Sequence, residues 1–369
     1  MIIATITSAP FFIKHFPEAS YILIATYIAG LVILGFLFRR FDVQQFRIIN
    51  HYSLWVLGIL ALAALNVSLY PGTRLVPNPS TAPNALMEPA ITLWRTGSHP
   101  YSIRLFDGAL ISPGPGWILL NLPFSLSGMI TLLIPTYFML AGVMIAKWSK
   151  AYAFVFVLLL IASLNFLQMS ITGHDLPATT LALVSLTLAL HCYYTSNARF
   201  IIIAILTGLI ATARVPFIII PIALSICLIS FNRRRAMQFA LLSTGVALAM
   251  HLIFYFWAKQ QGLFYQPMHL FGRASASGSP IFLCFGALTW VAFCWCAWRR
   301  LTNTPASWLI FLWVILSIPF IFVGLGELLR EGLFSLRTWA AWEGKGYVLF
   351  TLPLLLAGLL LNAAQGCRK

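Results

Sequence analysis

Charged residues are scarce in this chain of 369 residues, and acidic ones are the scarcest. Only 8 residues are Asp or Glu, and charged residues of both signs together make up 8%. Soluble domains carry about 25% charged residues, so this chain cannot cover a water-facing surface. Hydrophobic residues make up 60%, and the mean hydropathy is +0.91. We therefore expect an all-α, polytopic membrane protein.

The sequence also has little that indicates a signal peptide, a cysteine framework or a nucleic-acid partner. Residues 1–12 have no basic segment and no small-residue cleavage pattern, which predicts no cleaved signal peptide. The six cysteines lie mostly in apolar runs, and Cys294 and Cys296 would not share a helical face, so we expect no disulfide framework and no metal site. The 23 Lys and Arg residues stand at the ends of apolar runs, not in a stripe, which argues against nucleic acid as a partner. No cofactor is expected.

Nine apolar runs are long enough to cross a bilayer, at roughly 17–25 residues each. The further region 200–231 is interrupted by Ala213-Arg214-Val215-Pro216, which predicts a hairpin of two short helices, with a single kinked span as the alternative. The run 117–126 contains a proline and is too short to cross, which favours an interfacial or re-entrant segment. The nine expected spans are 21–38, 52–70, 129–148, 151–170, 176–194, 236–257, 280–298, 305–325 and 346–362.

The basic residues predict an orientation. One set of run ends carries 13 Lys or Arg residues against Asp42 alone, and the opposite ends carry 9 with 7 acids. The positive-inside rule then places the first set in the cytoplasm, the amino terminus outside and the carboxyl terminus inside. The remaining charge, Arg214, is expected at mid-membrane depth, where a charge is costly and usually functional. A snorkelling or hairpin-capping arginine is the plainer alternative.

We expect one membrane domain over 1–369, with small external loops of which 71–116 holds most of the polar chemistry. Within it, Asn84–Thr96 predicts a short amphipathic helix with Asn84 as its N-cap and Glu88 in its first turns. A simple interfacial helix, with Glu88 in water or paired with Arg95, is the alternative. Farther along, His174 and Asp175 precede an apolar span, and the plainer alternative for these residues is that they only cap the helix of that span.

The order of these segments resembles the GT-C superfamily of glycosyltransferases, polytopic enzymes that use polyprenyl-phosphate-linked sugars and include bacterial mannosyl- and arabinosyltransferase-like groups. The resemblance covers 88–216 and departs at the head of the loop, where those enzymes usually carry an aspartate and this chain has Glu88. The motifs that carry it are Gly97-Ser98-His99-Pro100-Tyr101, Ser112-Pro113-Gly114-Pro115, Gly173-His174-Asp175 and the glycine, basic residue and proline of 207–216.

The resemblance implies an inverting transferase at the external, periplasmic face of a bacterial inner membrane. It would move a sugar from a polyprenyl-phosphate donor to a glycan, lipid or protein acceptor. A carboxylate must take the proton of the acceptor, and cations or hydrogen-bond donors must hold the departing phosphate. Glu88 is the expected base, and Asp107 is the second candidate. The residues expected to bind the donor are Tyr101, Arg104, His174, Asp175 and Arg214, without a metal.

Two other functions stay open. The missing aspartate favours a non-catalytic partner subunit that keeps the shape of the enzyme. A transporter of lipids or small molecules would also use a buried charge and a broken helix. It would need polar residues along the full membrane depth, and the apolar runs hold few besides Arg214.

Overall fold

The computed structural model describes residues 12, 18–40, 53–75, 79–269, 280–331 and 351–366. In this part of the chain every regular element is helical, which confirms the all-α class. The first five residues of the expected span 346–362 lie outside the described residues. The α-helices are α1 (Ser20–Arg40), α2 (Leu54–Arg74), α3 (Asn84–Ile91), α4 (Pro115–Leu120), α5 (Leu122–Leu126), α6 (Leu133–Ala146), α7 (Lys150–Ile161), α8 (Leu164–Ile171), α9 (Leu176–Tyr193), α10 (Asn197–Ala211), α11 (Ile220–Ile229), α12 (Arg233–Gln260), α13 (Pro280–Arg300), α14 (Pro305–Glu331) and α15 (Leu352–Gly366).

Short helical turns extend some of these helices. A π-helical turn, Thr92–Thr96, follows α3, and 3-10 turns lie at Ile130–Leu132, Val215–Ile219 and Gln266–Met268.

In the part of the chain that the structure describes, three helices, α2, α9 and α12, are long and apolar enough to cross a membrane. The pair α7 and α8 also qualifies when it is taken as one broken span. Six other apolar helical stretches in the described part of the chain have only 10–17 residues. Fewer spans than the expected nine are therefore clear candidates among the described residues, and in one of the nine runs a break interrupts the helix.

The run 151–170 illustrates such an interruption. It was expected to form one span, but α7 and α8 meet at an angle of 80°. The chain leaves the helical conformation at Ser163, where ψ is 105°. The Tyr27 hydroxyl of α1 donates to the carbonyl oxygen of Ala162 at 2.9 Å. A side chain from another helix thus satisfies a backbone group that the break leaves free.

Helix α9 forms the centre of the bundle. In the apolar stretch of α9, 78% of the residues are buried, whereas 22% are buried in the apolar stretches of α2 and of α12. It packs against α6, α10 and α15. The outer helices expose large apolar side chains such as Leu241 and Ile253 of α12. A surface of this kind suits lipid as its solvent, because water cannot solvate it favourably.

Buried amide side chains join the helices. On α2, Asn66 donates from Nδ2 to the Ser170 hydroxyl at 2.8 Å and to the Thr131 carbonyl at 3.1 Å. Between α4 and α5, Asn121 accepts a hydrogen bond from the Tyr137 hydroxyl at 3.0 Å. In an apolar medium such groups need partners, so each one fixes how its helices meet.

The two arms of 200–231 run in opposite directions along α9. At the end of α9, the Arg199 guanidinium lies 4.5 Å from the centre of the Tyr193 ring, and Phe231 stacks on Tyr194. The break between α10 and α11 lies at the other end of α9, beside Asp175. Helix α9 has 18 residues, which corresponds to a length of about 27 Å. The beginning of α10 and the end of α11 therefore meet at one end of the bundle, and the break at the other.

Candidate functional site

The most deeply buried charges of the described residues form an ion pair beside the beginning of α9. Arg214 donates from its two terminal nitrogens to the two carboxylate oxygens of Asp175, at 3.0 and 2.8 Å. The indole nitrogen of Trp117 donates to the Oδ2 atom at 2.9 Å. Asp175 is 1% exposed and Arg214 is 4% exposed. A planar guanidinium facing a carboxylate in this two-pronged manner is the strongest form of such a pair.

Arg214 occupies the break that follows α10, beside the beginning of α9. Helix α10 ends at Ala211, three residues before Arg214. Arg214 also donates to the Ala213 carbonyl at 2.6 Å. Its Nε–H and the second hydrogen of Nη2 form no other hydrogen bond with the described residues.

The loop before α4 docks on the same break. The Gly114 amide donates to the Thr212 carbonyl at 3.0 Å, and the Trp117 amide donates to the Thr212 hydroxyl at 2.9 Å. A Cβ atom at Gly114 would lie 2.1 Å from the Thr212 carbonyl oxygen. Glycine is therefore required for this approach. The docking brings the Trp117 indole to Asp175.

The surroundings of Asp175 hold its carboxyl in the charged form. Burial alone would raise the pKa of Asp175. The charges of Arg214 and His174 and the hydrogen bonds from Arg214 and Trp117 together outweigh that effect, so the pKa is lowered. Both oxygens accept hydrogen bonds, which suits Asp175 to anchoring other groups and not to taking a proton from a substrate.

His174 is the polar side chain of this cluster that remains partly open, with 27% of its side chain exposed. Its Nδ1 atom accepts from the Leu176 amide at 3.3 Å, which leaves the proton on Nε2. Burial lowers the pKa of His174 to about 4, and Arg214 adds to that effect while Asp175 opposes it. The ring is neutral at pH 7 and offers one N–H donor. The His174 ring caps α9 through the Leu176 amide, because the Asp175 carboxylate forms no cap hydrogen bond.

Tyr101 lies behind this cluster and supports the loop. It is 2% exposed, and its hydroxyl donates to the Pro113 carbonyl at 2.8 Å. Burial raises its pKa well above the usual value, the neighbouring Tyr265 raises it further, and Arg214 opposes both. The Gln266 amide donates to the Tyr101 carbonyl at 2.7 Å and accepts from the Ile111 amide at 2.6 Å. Tyr101 is thus a buried part of the scaffold.

Arg104 and Asp107 lie on the exposed side of the loop. The Asp107 Oδ1 atom accepts from the Ala109 amide at 2.9 Å, which closes a turn of the loop. No contact of the described residues joins either side chain to Asp175 or Arg214.

Glu88 lies on α3, and its side chain is half-buried. Its Oε1 atom accepts a short hydrogen bond from the Asn84 side-chain amide, whose oxygen accepts from Arg74 at 2.8 Å. Asn84 was expected to cap α3, but Pro83 occupies that position and the Asn84 side chain pairs with Glu88 instead. A Cβ at Gly173 would lie 3.3 Å from Pro83. The helix that carries Glu88 thus begins beside the turn that carries His174 and Asp175.

Three residues that build the site were not singled out in the sequence: Trp117, Thr212 and Gln266. Gly114-Pro115-Gly116 was a usable signal, because two glycines around a proline at the start of a helix often mark a close backbone contact. Nothing near Gln266 in the sequence indicates its role, since it bonds to residues more than 150 positions away.

Within the described residues, no group of three His, Cys, Asp or Glu side chains is placed to hold a metal ion. Comparison with known proteins adds no relative: no family model, no curated protein and no solved structure matches this chain.

Proposed function

We propose that this protein is a membrane glycosyltransferase that moves a sugar from a polyprenyl-phosphate donor to an acceptor, with inversion at the sugar carbon. The observation that carries the proposal is the meeting of two elements at Gly173-His174-Asp175. On one side this turn lies beside Pro83, where the helix of Glu88 begins, and on the other Asp175 of the turn pairs with Arg214. The helix of Glu88 and the cationic anchor thus both adjoin the turn that carries the partly open imidazole, which supports the proposal.

In the proposed reaction Glu88 takes the proton of an acceptor hydroxyl. The acceptor oxygen bonds to the sugar carbon, and the bond from that carbon to the phosphate oxygen breaks. The polyprenyl phosphate leaves with the electron pair of that bond. Negative charge grows on the phosphate, and the Nε2–H of His174 and the remaining N–H groups of Arg214 stabilise it. The Glu88 Oε2 atom has no partner among the described residues and is free to act as the base.

The wider setting belongs to the same proposal. About nine spans would embed the chain in a bacterial inner membrane, with the Glu88 loop at the periplasmic face and the carboxyl terminus in the cytoplasm. The asymmetry of Lys and Arg between the two sets of run ends supports this orientation. Arg104, exposed on the loop, is available to meet an acceptor or a lipid headgroup.

The test uses the full chain in vesicles of neutral lipid, radiolabelled polyprenyl-phosphate hexoses and pentoses, and membranes from cells that lack the protein as the source of acceptor. Wild type is expected to transfer label. Glu88→Gln should lose about 10²–10⁴-fold, the usual contribution of a general base. Glu18→Gln, which changes an exposed acid outside the loop, is the matched control and should keep full transfer.

The outcomes separate the competing functions. Full transfer by Glu88→Gln with loss in Asp107→Asn would move the base to Asp107. Absence of transfer with every donor, together with co-purification of a larger enzyme, would favour a partner subunit. Movement of lipid or sugar across the vesicle wall without transfer would favour a transporter.

A further inference from the structure

At the end of the bundle opposite to Asp175, the charged residues of the turns are all basic. We call it the basic end and define it by the turns 147–150, 193–199, 230–235 and 299–304. Contacts join these turns: Lys147 donates to the Tyr193 hydroxyl, Arg235 donates to the Asn197 side chain, and Ser230 donates to Asn303. The four turns carry eight Lys and Arg residues and no acid.

The cations of the basic end lack carboxylate partners. In the part of the chain that the structure describes, the ion pair is that of Asp175 with Arg214, at the other end. Lys147 and Arg199 are exposed. Positive charges gathered without acids raise the local potential and attract anions.

Two of these cations share one aromatic ring. The Lys147 ammonium lies 4.6 Å and the Arg199 guanidinium 4.5 Å from the centre of the Tyr193 ring. The guanidinium of Arg235 lies 4.8 Å from the ring of Phe200, the residue that follows Arg199 in α10. An aromatic face attracts a cation but carries no net charge, so the charges of Lys147 and Arg199 have no counterion among the described residues. An anion beside this ring would supply it.

An apolar surface continues from these cations along the outside of α10 and α12. Next to Arg199, Ile201 is 46% and Ile202 is 56% exposed, and on α12 Met237 and Leu241 are 65% and 71% exposed. A soluble anion would gain nothing from this surface. A phospholipid would, because its phosphate meets the cations while its acyl chains cover the apolar side chains.

We propose that Lys147 and Arg199, held by the Tyr193 ring, bind the phosphate of an anionic phospholipid in the membrane leaflet at the basic end. Arg235 lies beside them and adds attraction. The acyl chains lie along the outer faces of α10 and α12. The site is independent of the transferase activity proposed above and stands on the charges and surfaces of the basic end alone.

Native mass spectrometry of the full chain, delipidated in neutral detergent, tests the proposal by titration with phosphatidylglycerol and with phosphatidylcholine. Wild type should bind phosphatidylglycerol at least about tenfold more tightly. The double variant Lys147→Gln/Arg199→Gln should lose most of that preference. Lys150→Gln/Arg234→Gln removes the same charge from the same end and should change affinity less than about threefold.

Three results would overturn the proposal. The first is unchanged phosphatidylglycerol binding by Lys147→Gln/Arg199→Gln, and the second is an equal loss in Lys150→Gln/Arg234→Gln, which would indicate a diffuse charge effect. The third is displacement of the lipid by millimolar inorganic phosphate, which would indicate a site for a soluble anion. The charge-conserving variant Lys147→Arg/Arg199→Lys should retain binding, so a loss through misfolding is distinguished from a loss of charge.

Discussion

At one end of α9, Asp175 and Arg214 are buried and paired, whereas at the other end Lys147 and Arg199 are exposed and lie over the ring of Tyr193, which carries no net charge. The difference follows from solvation. A charge removed from water needs an opposite charge and hydrogen bonds, since otherwise its desolvation is too costly. A charge at the surface needs neither and remains available to a ligand.

The two ends therefore suit different tasks. The Asp175 end has its groups held in fixed positions, which is what a reaction site requires of its scaffold. The basic end has exposed cations without acidic partners among the described residues, which suits it to contact with anionic lipid. Variants at the two ends should consequently differ in stability, and the expected effects are given from the largest to the smallest.

Breaking the buried pair should have the largest effect. Asp175→Ala leaves Arg214 charged and without its partner, which should lower the free energy of unfolding by about 3–5 kcal/mol. Asp175→Ala/Arg214→Met removes both charges and should recover at least half of that loss. Unfolding in mixed micelles with increasing SDS measures both. At the basic end, Lys147→Met should change stability by less than about 1 kcal/mol. A double variant no more stable than the single one would contradict the role of the pair.

The close contact between the loop and the break should be nearly as sensitive. Gly114→Ala would place a Cβ 2.1 Å from the Thr212 carbonyl oxygen and push the two backbones apart. We expect a loss of about 2–3 kcal/mol in the same unfolding assay. Gly245→Ala on α12 is the matched control, because a Cβ there meets nothing within 4 Å. It should leave stability unchanged or raise it by up to about 1 kcal/mol.

The hydrogen bond from Trp117 to Asp175 should contribute a smaller amount. Trp117→Phe keeps an aromatic ring but loses the indole N–H, which should cost about 1.5–3 kcal/mol because the acceptor is charged. Trp94→Phe changes a tryptophan that is 69% exposed and should have no measurable effect. Equal losses in the two variants would assign the effect to ring size and not to the hydrogen bond.

The pH dependence of stability should separate His174 from Asp175. Because the pKa of His174 falls from 6.5 to about 4 on folding, the unfolded chain binds the proton first as the pH drops. Stability should therefore decrease from pH 6.5 to pH 4, by about 1–2 kcal/mol for a ring that is partly exposed. His174→Gln should remove this contribution. The ionised Asp175 stabilises the fold in a different pH range, because its contribution is lost only as the pH falls below 3.8. An unchanged pH profile in His174→Gln would contradict the neutral, buried imidazole.

The smallest effect is expected at the basic end. In lipid-free micelles Arg199→Gln should lower the free energy of unfolding by about 0.5–1 kcal/mol, the usual contribution of an exposed cation on an aromatic ring. Phosphatidylglycerol should then stabilise wild type more than the variant, because a ligand stabilises the folded state that binds it. Equal stabilisation of both proteins would remove Arg199 from the lipid site.

Part of this arrangement could be predicted from the sequence. Scarcity of charge and long apolar runs indicated helices, and the described residues confirm an all-helical chain. Arg214 and His174-Asp175 stood out because polar groups are costly next to apolar runs. The bend at Ala162-Ser163 could not be predicted from hydropathy, because an apolar run looks the same whether or not its backbone is broken. The Asn84 side chain was assigned to the wrong partner, since the competing bond to Glu88 depends on side-chain geometry.

The sequence by itself determined the all-α class and the large apolar surface of this protein, because composition sets how much surface can meet water. Only the tertiary structure decided that Asp175 pairs with Arg214 and Trp117, residues that are 39 and 58 positions away. It also decided that Lys147 and Arg199 share one ring. Residues far apart along the chain become neighbours through helix packing, and helix packing depends on the shapes of many side chains at once.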